Sequence, residues 1–196
     1  MFTFKNFNIA DWFSFYRIVA VPLLILLIIL DERLIFTCFL MISYLTDAID
    51  GYLARKLKIT SARGSQLDSF GDQLTLVMAL IGLLYFETEF IKSNISLIII
   101  VLVPYFVQMI LSYYKYGKAT AFHTYLAKLS AILQGIFILG ALFLEPNYVL
   151  FYMMIAFGLL ETIEEIILIF MYDEWVSDVK GLYWASKDKR RRPKKS

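Results

Sequence analysis

Six runs of about twenty mostly apolar residues dictate where this chain can fold, because a helix rising about 1.5 Å per residue needs about 20 residues to cross a bilayer core. They are Trp12–Leu30, Leu34–Arg55, Ser65–Phe86, Ile95–Tyr114, Thr124–Leu144 and Tyr148–Met171. Hydrophobic residues make up 60% of the chain and charged ones only 18%, a balance foreign to soluble domains. No stretch alternates apolar and polar as a barrel strand does, and an aromatic content of 17% suits belts at the ends of helices. The expected fold is therefore an all-α membrane protein with six transmembrane helices. The N-terminal MFTFKNFNIADWFSFYRIV lacks the pattern of a cleavable signal, and its mix of aromatic and polar residues reads as a retained interfacial helix.

Basic residues orient the bundle. The connections around Asp31–Arg33, Glu87–Lys92 and Glu145–Asn147 hold only Arg33 and Lys92. The alternating set holds Arg55, Lys56, Lys58, Arg63, Lys115, Lys118 and the terminal KDKRRRPKKS. Positive charge marks the cytoplasmic side, so both termini are expected there. Beside a membrane span, the basic end suits anionic headgroups, and no nucleic-acid partner is expected. With no repeat and no linker, the chain reads as one membrane domain over residues 1–175 followed by a basic cytoplasmic tail over 176–196. Cys38 is the only cysteine, which leaves no disulfide framework and no thiolate metal cluster. Pro22 and Pro104 fall inside spans, where neighbours can satisfy the freed carbonyls.

Against this apolar background, DAIDGYLARKLKITSARGSQLDSFGD from Asp47 to Asp72 stands apart. A carboxylate inside a span costs about 2.5 to 3.5 kcal/mol on an insertion scale, so four of them need compensation. Asp47 and Asp50 are three residues apart, and Asp68 and Asp72 four apart, so each pair shares a helix face. The short turn between the two segments makes their helices antiparallel neighbours. Four facing carboxylates offer hard oxygen ligands for Mg2+ or Mn2+, enough for two ions, an arrangement suited to phosphoryl chemistry. Gly51 and Gly64 remove side chains where a nucleotide or a neighbouring backbone must approach, and Arg55 is placed for a bidentate phosphate contact. Taken singly, any of these residues reads equally well as a solvated charge or a packing glycine.

Together they form Asp47-x2-Asp50-Gly51-x2-Ala54-Arg55-x8-Gly64-x3-Asp68-x3-Asp72, which resembles the signature of the CDP-alcohol phosphotransferase family at every fixed position. The resemblance implies six transmembrane helices, an N-terminal interfacial helix, a cytoplasmic active site and a homodimer. It implies that Asp47, Asp50, Asp68 and Asp72 bind metal and that Asp72 is the general base. Gly51, Arg55 and Ser61 are implied to contact the CDP moiety, with Ala54 and Gly64 allowing close approach. The reaction implied is attack of an alcohol on the β-phosphorus of a CDP-linked alcohol, with release of CMP. CDP-diacylglycerol is the expected donor, since its tails can stay in the bilayer while CDP reaches the cytoplasmic acids; the expected setting is a bacterial inner membrane.

The acceptor is less sharply marked. TYLAKLSAILQ, Thr124 to Gln134, is similar to the SxxGKxKTxxQ segment of bacterial phosphatidylglycerophosphate synthases, with Lys128 and Gln134 matching. Ala127, Ser130 and Ala131 depart from it, and Gln73 stands where those synthases commonly have lysine. Glycerol 3-phosphate is the first choice, with inositol phosphate and serine behind it. Candidate acceptor contacts are Lys128 and His123, each with a plain interfacial reading beside it, and Arg63 and Lys118, which could supply the charge of the missing cations. Glu161, Glu164 and Glu165 read either as contacts to a polar acceptor or as partners of another helix, and Arg17 either as a donor contact or as a snorkelled charge. A reading of another class, a divalent-cation transporter, predicts acids spread along a membrane path rather than clustered beside an arginine.

Overall fold

The computed structural model describes residues 9–57 and 62–191. Eight helices are assigned among them: α1 Ile9–Ile29, α2 Arg33–Leu57, α3 Ala62–Phe86, α4 Thr88–Ser93, α5 Ile95–Tyr116, α6 Tyr125–Phe143, α7 Tyr148–Met171 and α8 Leu182–Arg191. The six long ones coincide with the six apolar runs to within a few residues. α1, α5 and α6 are long and apolar enough to cross a membrane over Asp11–Ile29, Ile95–Tyr116 and Tyr125–Phe143. The other three long helices carry the acids: α2 holds Asp47 and Asp50, α3 holds Asp68 and Asp72, and α7 holds three glutamates. Ile9 to Ile29 is one continuous helix, so among the described residues no interfacial helix is separate from the first span.

The chain divides into two compact units, Met1–Phe90 with Ile138–Pro146, and Ile91–Phe137 with Asn147–Ser196. In the first, α1, α2 and α3 pack on one another. Ala20, Leu24 and Leu27 recur at helical spacing on α1 and are buried with Phe36 and Leu40 of α2 and Met78, Ala79 and Leu83 of α3. Gly82 lets this happen: a β-carbon there would overlap the fully buried Phe36 ring. The opposite faces expose Val19, Leu23, Leu26, Ile42, Leu45 and Leu84, an outer surface suited to hydrocarbon. Arg33 ties off one end of the unit. Its guanidinium pairs with Glu87 and donates to the carbonyls of Ala141 at 2.7 Å and Leu142 at 2.8 Å, satisfying acceptors that the last turn of α6 leaves open.

In the second unit α5 packs on α7 and α7 on α8. α5 ends at Gly117 in the left-handed region, φ 70°, and Asn147 caps α7 by accepting from the backbone of Val149 and Leu150. The connector after α5 and the segment after α7 run side by side. Asp178 N–H donates to Ala121 O at 3.1 Å, Val179 N–H to Phe122 O at 2.7 Å, and Tyr125 N–H to Lys180 O at 3.3 Å. Beneath them Phe122, Leu168, Ile169, Val179 and Ala185 form a buried cluster with Val176 and Leu182 against it. The segment read as a basic tail thus has apolar side chains packed into this unit as far as Ala185.

Candidate active site

The signature begins near the end of α2 and finishes on α3. α2 carries Asp47, Asp50, Gly51, Ala54 and Arg55, while α3 carries Arg63, Gly64, Asp68 and Asp72. The side chains of Asp50, Gly51, Ala54, Arg55, Arg63, Gly64 and Asp68 lie outside the described residues, as does Ser61 altogether. Asp47 and Asp72, the first and last acids of the motif, are both described, and they meet at the same atom.

That atom is Nη1 of Arg17, from α1. It donates to Asp47 Oδ1 at 2.9 Å and also to Asp72 Oδ1. Sharing one nitrogen as donor, the two carboxylate oxygens are drawn to the same point from two different helices. The second guanidinium nitrogen, Nη2, lies 3.4 Å from Ser14 Oγ. The arginine side chain has no exposed surface, whereas both carboxylates are 46% exposed, so the acids present an open side with the cation behind them. Gly71 makes room for it, because a β-carbon there would lie 3.3 Å from Ser14 O and 3.4 Å from Arg17 Nε. The hydroxyls nearby turn back onto their own helices, Thr46 to Ser43 O at 2.8 Å and Thr75 to Gly71 O at 2.9 Å, and so do not compete for the carboxylates.

The structure gives Arg17 a part that neither sequence reading named. A guanidinium is too costly to bury unpaired, and here it serves as counterion to two acids on two other helices. The donors are hard carboxylate oxygens and both side chains keep an open side away from Arg17, so the residues present suit a hard divalent cation. Among the described residues no group of three or more metal-ligating side chains is assembled, since the other two acids of the motif are not among them.

The candidate acceptor residues separate. His123 and Lys128 line a common cavity of about 170 Å3 in the second unit, together with Tyr125, Asp178 and Lys180. Lys118 goes elsewhere, its ammonium 3.6 Å from the ring centroid of Trp175. Two of the three glutamates of α7 accept hydrogen bonds from other segments. Glu165 accepts from Gln108 Nε2 at 2.6 Å and Thr120 Oγ1 at 2.8 Å, anchoring the connector after α5. Glu164 accepts from the backbone N–H of Leu182 at 3.2 Å, at the first residue of α8. Glu161 lies on the same helix four residues before Glu165, and Ser130 of α6, standing where the similar synthase segment has its second lysine, is buried. Tyr125, Asp178 and Lys180 escaped sequence reading because their proximity depends on the pairing of two distant segments, which leaves no local pattern.

The helical chain carries this signature with its first and last acids meeting on Arg17, and the family model for CDP-alcohol phosphatidyltransferase matches residues 7–163. The chain belongs to this family, whose members use a CDP-alcohol, an alcohol acceptor and a divalent metal. It is 34% identical over 79 residues to the CDP-diacylglycerol--glycerol-3-phosphate 3-phosphatidyltransferase of Haemophilus influenzae, covering 39% of this chain and 43% of that protein. With the Sodalis glossinidius protein of the same name it shares 35% over 77 residues, covering 38% and 42%. A cardiolipin synthase (CMP-forming) / mitochondrial hydrolase fusion protein of Schizosaccharomyces pombe is 33% identical over 82 residues, 42% of this chain and 14% of that one. The matched stretches span less than half the length of these three relatives.

Proposed function

We propose that this protein transfers the phosphatidyl group of CDP-diacylglycerol to glycerol 3-phosphate, releasing CMP. The observation that carries the reading is the convergence of Asp47 and Asp72 on Arg17, which draws the two ends of the signature to one place. Glycerol 3-phosphate is favoured over inositol phosphate and serine by the names of the bacterial relatives and by the match of Lys128 and Gln134. The protein is integral to a bacterial inner membrane and works as a homodimer, with termini and site on the cytoplasmic face.

Asp47, Asp50, Asp68 and Asp72 would hold Mg2+ or Mn2+, with room for two ions. Bound there, the metal supplies charge to the pyrophosphate and acidifies the acceptor hydroxyl. Asp72 takes the proton from that hydroxyl, and the oxygen attacks the β-phosphorus. The bond from that phosphorus to the bridging oxygen breaks, and CMP leaves with the electron pair. Arg55 steadies the pyrophosphate, Gly51, Ala54 and Gly64 let the nucleotide approach, and Ser61 contacts CDP. Arg17 holds Asp47 and Asp72 close in space.

The test is CMP release by purified protein with CDP-diacylglycerol, Mg2+ and each candidate alcohol in turn. Metal-dependent release with glycerol 3-phosphate is expected, lost with chelator and reduced about a hundredfold or more in Asp72→Asn. Full activity of that variant, or release indifferent to metal, rules the mechanism out. Cation flux into liposomes without CMP release would favour the transporter instead.

A further inference from the structure

We infer that Lys180 and Asp178, on the segment after α7, complete with His123, Tyr125 and Lys128 a pocket for a small hydroxylated phosphomonoester, in which Lys180 supplies the second cation to the phosphate. The inference deepens the proposed function and rests on it for the identity of the acceptor.

The pocket follows from alternation. In Phe122-His123-Thr124-Tyr125 the first and third residues are buried and the second and fourth exposed; in Asp178-Val179-Lys180 the middle residue is buried and its neighbours exposed. Backbone bonds hold these two strips in register, so the outward side chains of both face one cavity. Of the three non-glycine residues with positive φ among those described, two line it: His123 at 51° and Asp178 at 58°. Such conformations persist only where the surroundings impose them. Here the imposing contacts are the buried Phe122 and Val179, and Glu165 holding Thr120 just upstream.

Its chemistry selects the ligand. Two ammonium groups outnumber one carboxylate, and Thr124 caps the adjacent N-terminus of α6, accepting from Ala127 N–H at 3.0 Å, so the helix dipole adds positive potential at the same mouth. Lys128 is kept at the cavity by the Tyr125 ring, 5.7 Å from its nitrogen. A phosphate suits the two lysines and an imidazole N–H. Asp178 repels a bare anion but accepts from hydroxyls, which favours a phosphate attached to a polyol. At about 170 Å3 the space lies below the roughly 300 to 1,000 Å3 of drug-sized sites, so the ligand is small. Ser130 carries no charge, and Lys180 stands in for the cation that this position does not supply.

The test uses full-length protein in detergent. In Lys180→Ala the KM for glycerol 3-phosphate should rise about tenfold or more, in keeping with loss of a charge-assisted hydrogen bond. The KM for CDP-diacylglycerol should stay within about twofold, and Lys180→Arg should restore most of the affinity. An unchanged acceptor KM in Lys180→Ala overturns this inference while the proposed function stands. If the wild type releases no CMP with glycerol 3-phosphate, the proposed function falls, and titration calorimetry with glycerol 3-phosphate and no donor decides the pocket separately. Binding lost in Lys180→Ala supports it, whereas absent binding or binding equal in both proteins overturns it.

Discussion

At the residue scale, Arg17 turns an expensive cluster of charge into a tolerable one. Two carboxylates drawn within hydrogen-bonding distance of one point repel each other unless a cation lies between them, and Arg17 provides it from a third helix. Arg17→Met should therefore lower CMP release about tenfold or more and lower the melting temperature in detergent. Arg17→Lys should retain more of both, because an ammonium keeps the charge but not the reach to Ser14. Equal activity in Met and Lys variants would show that the charge is unnecessary. Little of this pairing was legible beforehand. An arginine in an apolar run must find a partner, but its spacing from Asp47 and Asp72 depends on how three helices pack. The signature itself is readable because its spacings run along two consecutive helices and the short connection between them, whereas Lys180 is matched to Lys128 only through a non-local register.

At the element scale, helices were legible and their contacts were not. Long apolar runs force helices on any chain in lipid, so α1 to α3 and α5 to α7 follow directly. The short α4, TEFIKS, and the polar α8, LYWASKDKRR, lack that compulsion and are held by neighbours. α8 starts where Glu164 accepts from Leu182 N–H, so Glu164→Leu should cost about 1 kcal/mol, the usual worth of an N-terminal cap. Faster amide exchange confined to residues 182–185 would be its mark, and Glu164→Gln, which keeps an acceptor oxygen, should largely preserve protection. In the first unit the close contact of α2 and α3 depends on Gly82. Gly82→Ala should cost about 1 to 3 kcal/mol, since Phe36 has nowhere to retreat, and Phe36→Leu in the same chain should recover part of the loss. If thermal unfolding of Gly82→Ala matches wild type, the ring does not depend on that glycine.

At the scale of the whole molecule, the chain places Asp47 and Asp72 of the signature in one compact unit and the cavity lined by Lys128 and Lys180 in another, and composition shows neither boundary. Charge alone marks residues 176–196 as a basic tail, and it says nothing of what the part after Met171 packs against. Phe122, on the connector before α6, is 1% exposed only because Val179 and Ala185 cover it together with Leu168 and Ile169 of α7. Tyr116 adds a hydrogen bond to Tyr172 O at 2.7 Å, and Trp175 Nε1 donates to Ala119 O at 3.0 Å, so polar and apolar contacts fasten the same two segments. A chain ended after Met171 loses all of these and uncovers large side chains, each worth about 1.5 to 3 kcal/mol when buried. It should aggregate or melt well below wild type in detergent, with CMP release falling in parallel. A chain ended after Arg191 keeps every one of these contacts and should melt with wild type. Equal melting of the two truncations would mean that the second unit is held by α5 and α7 alone and that the segment after Met171 only rests against it.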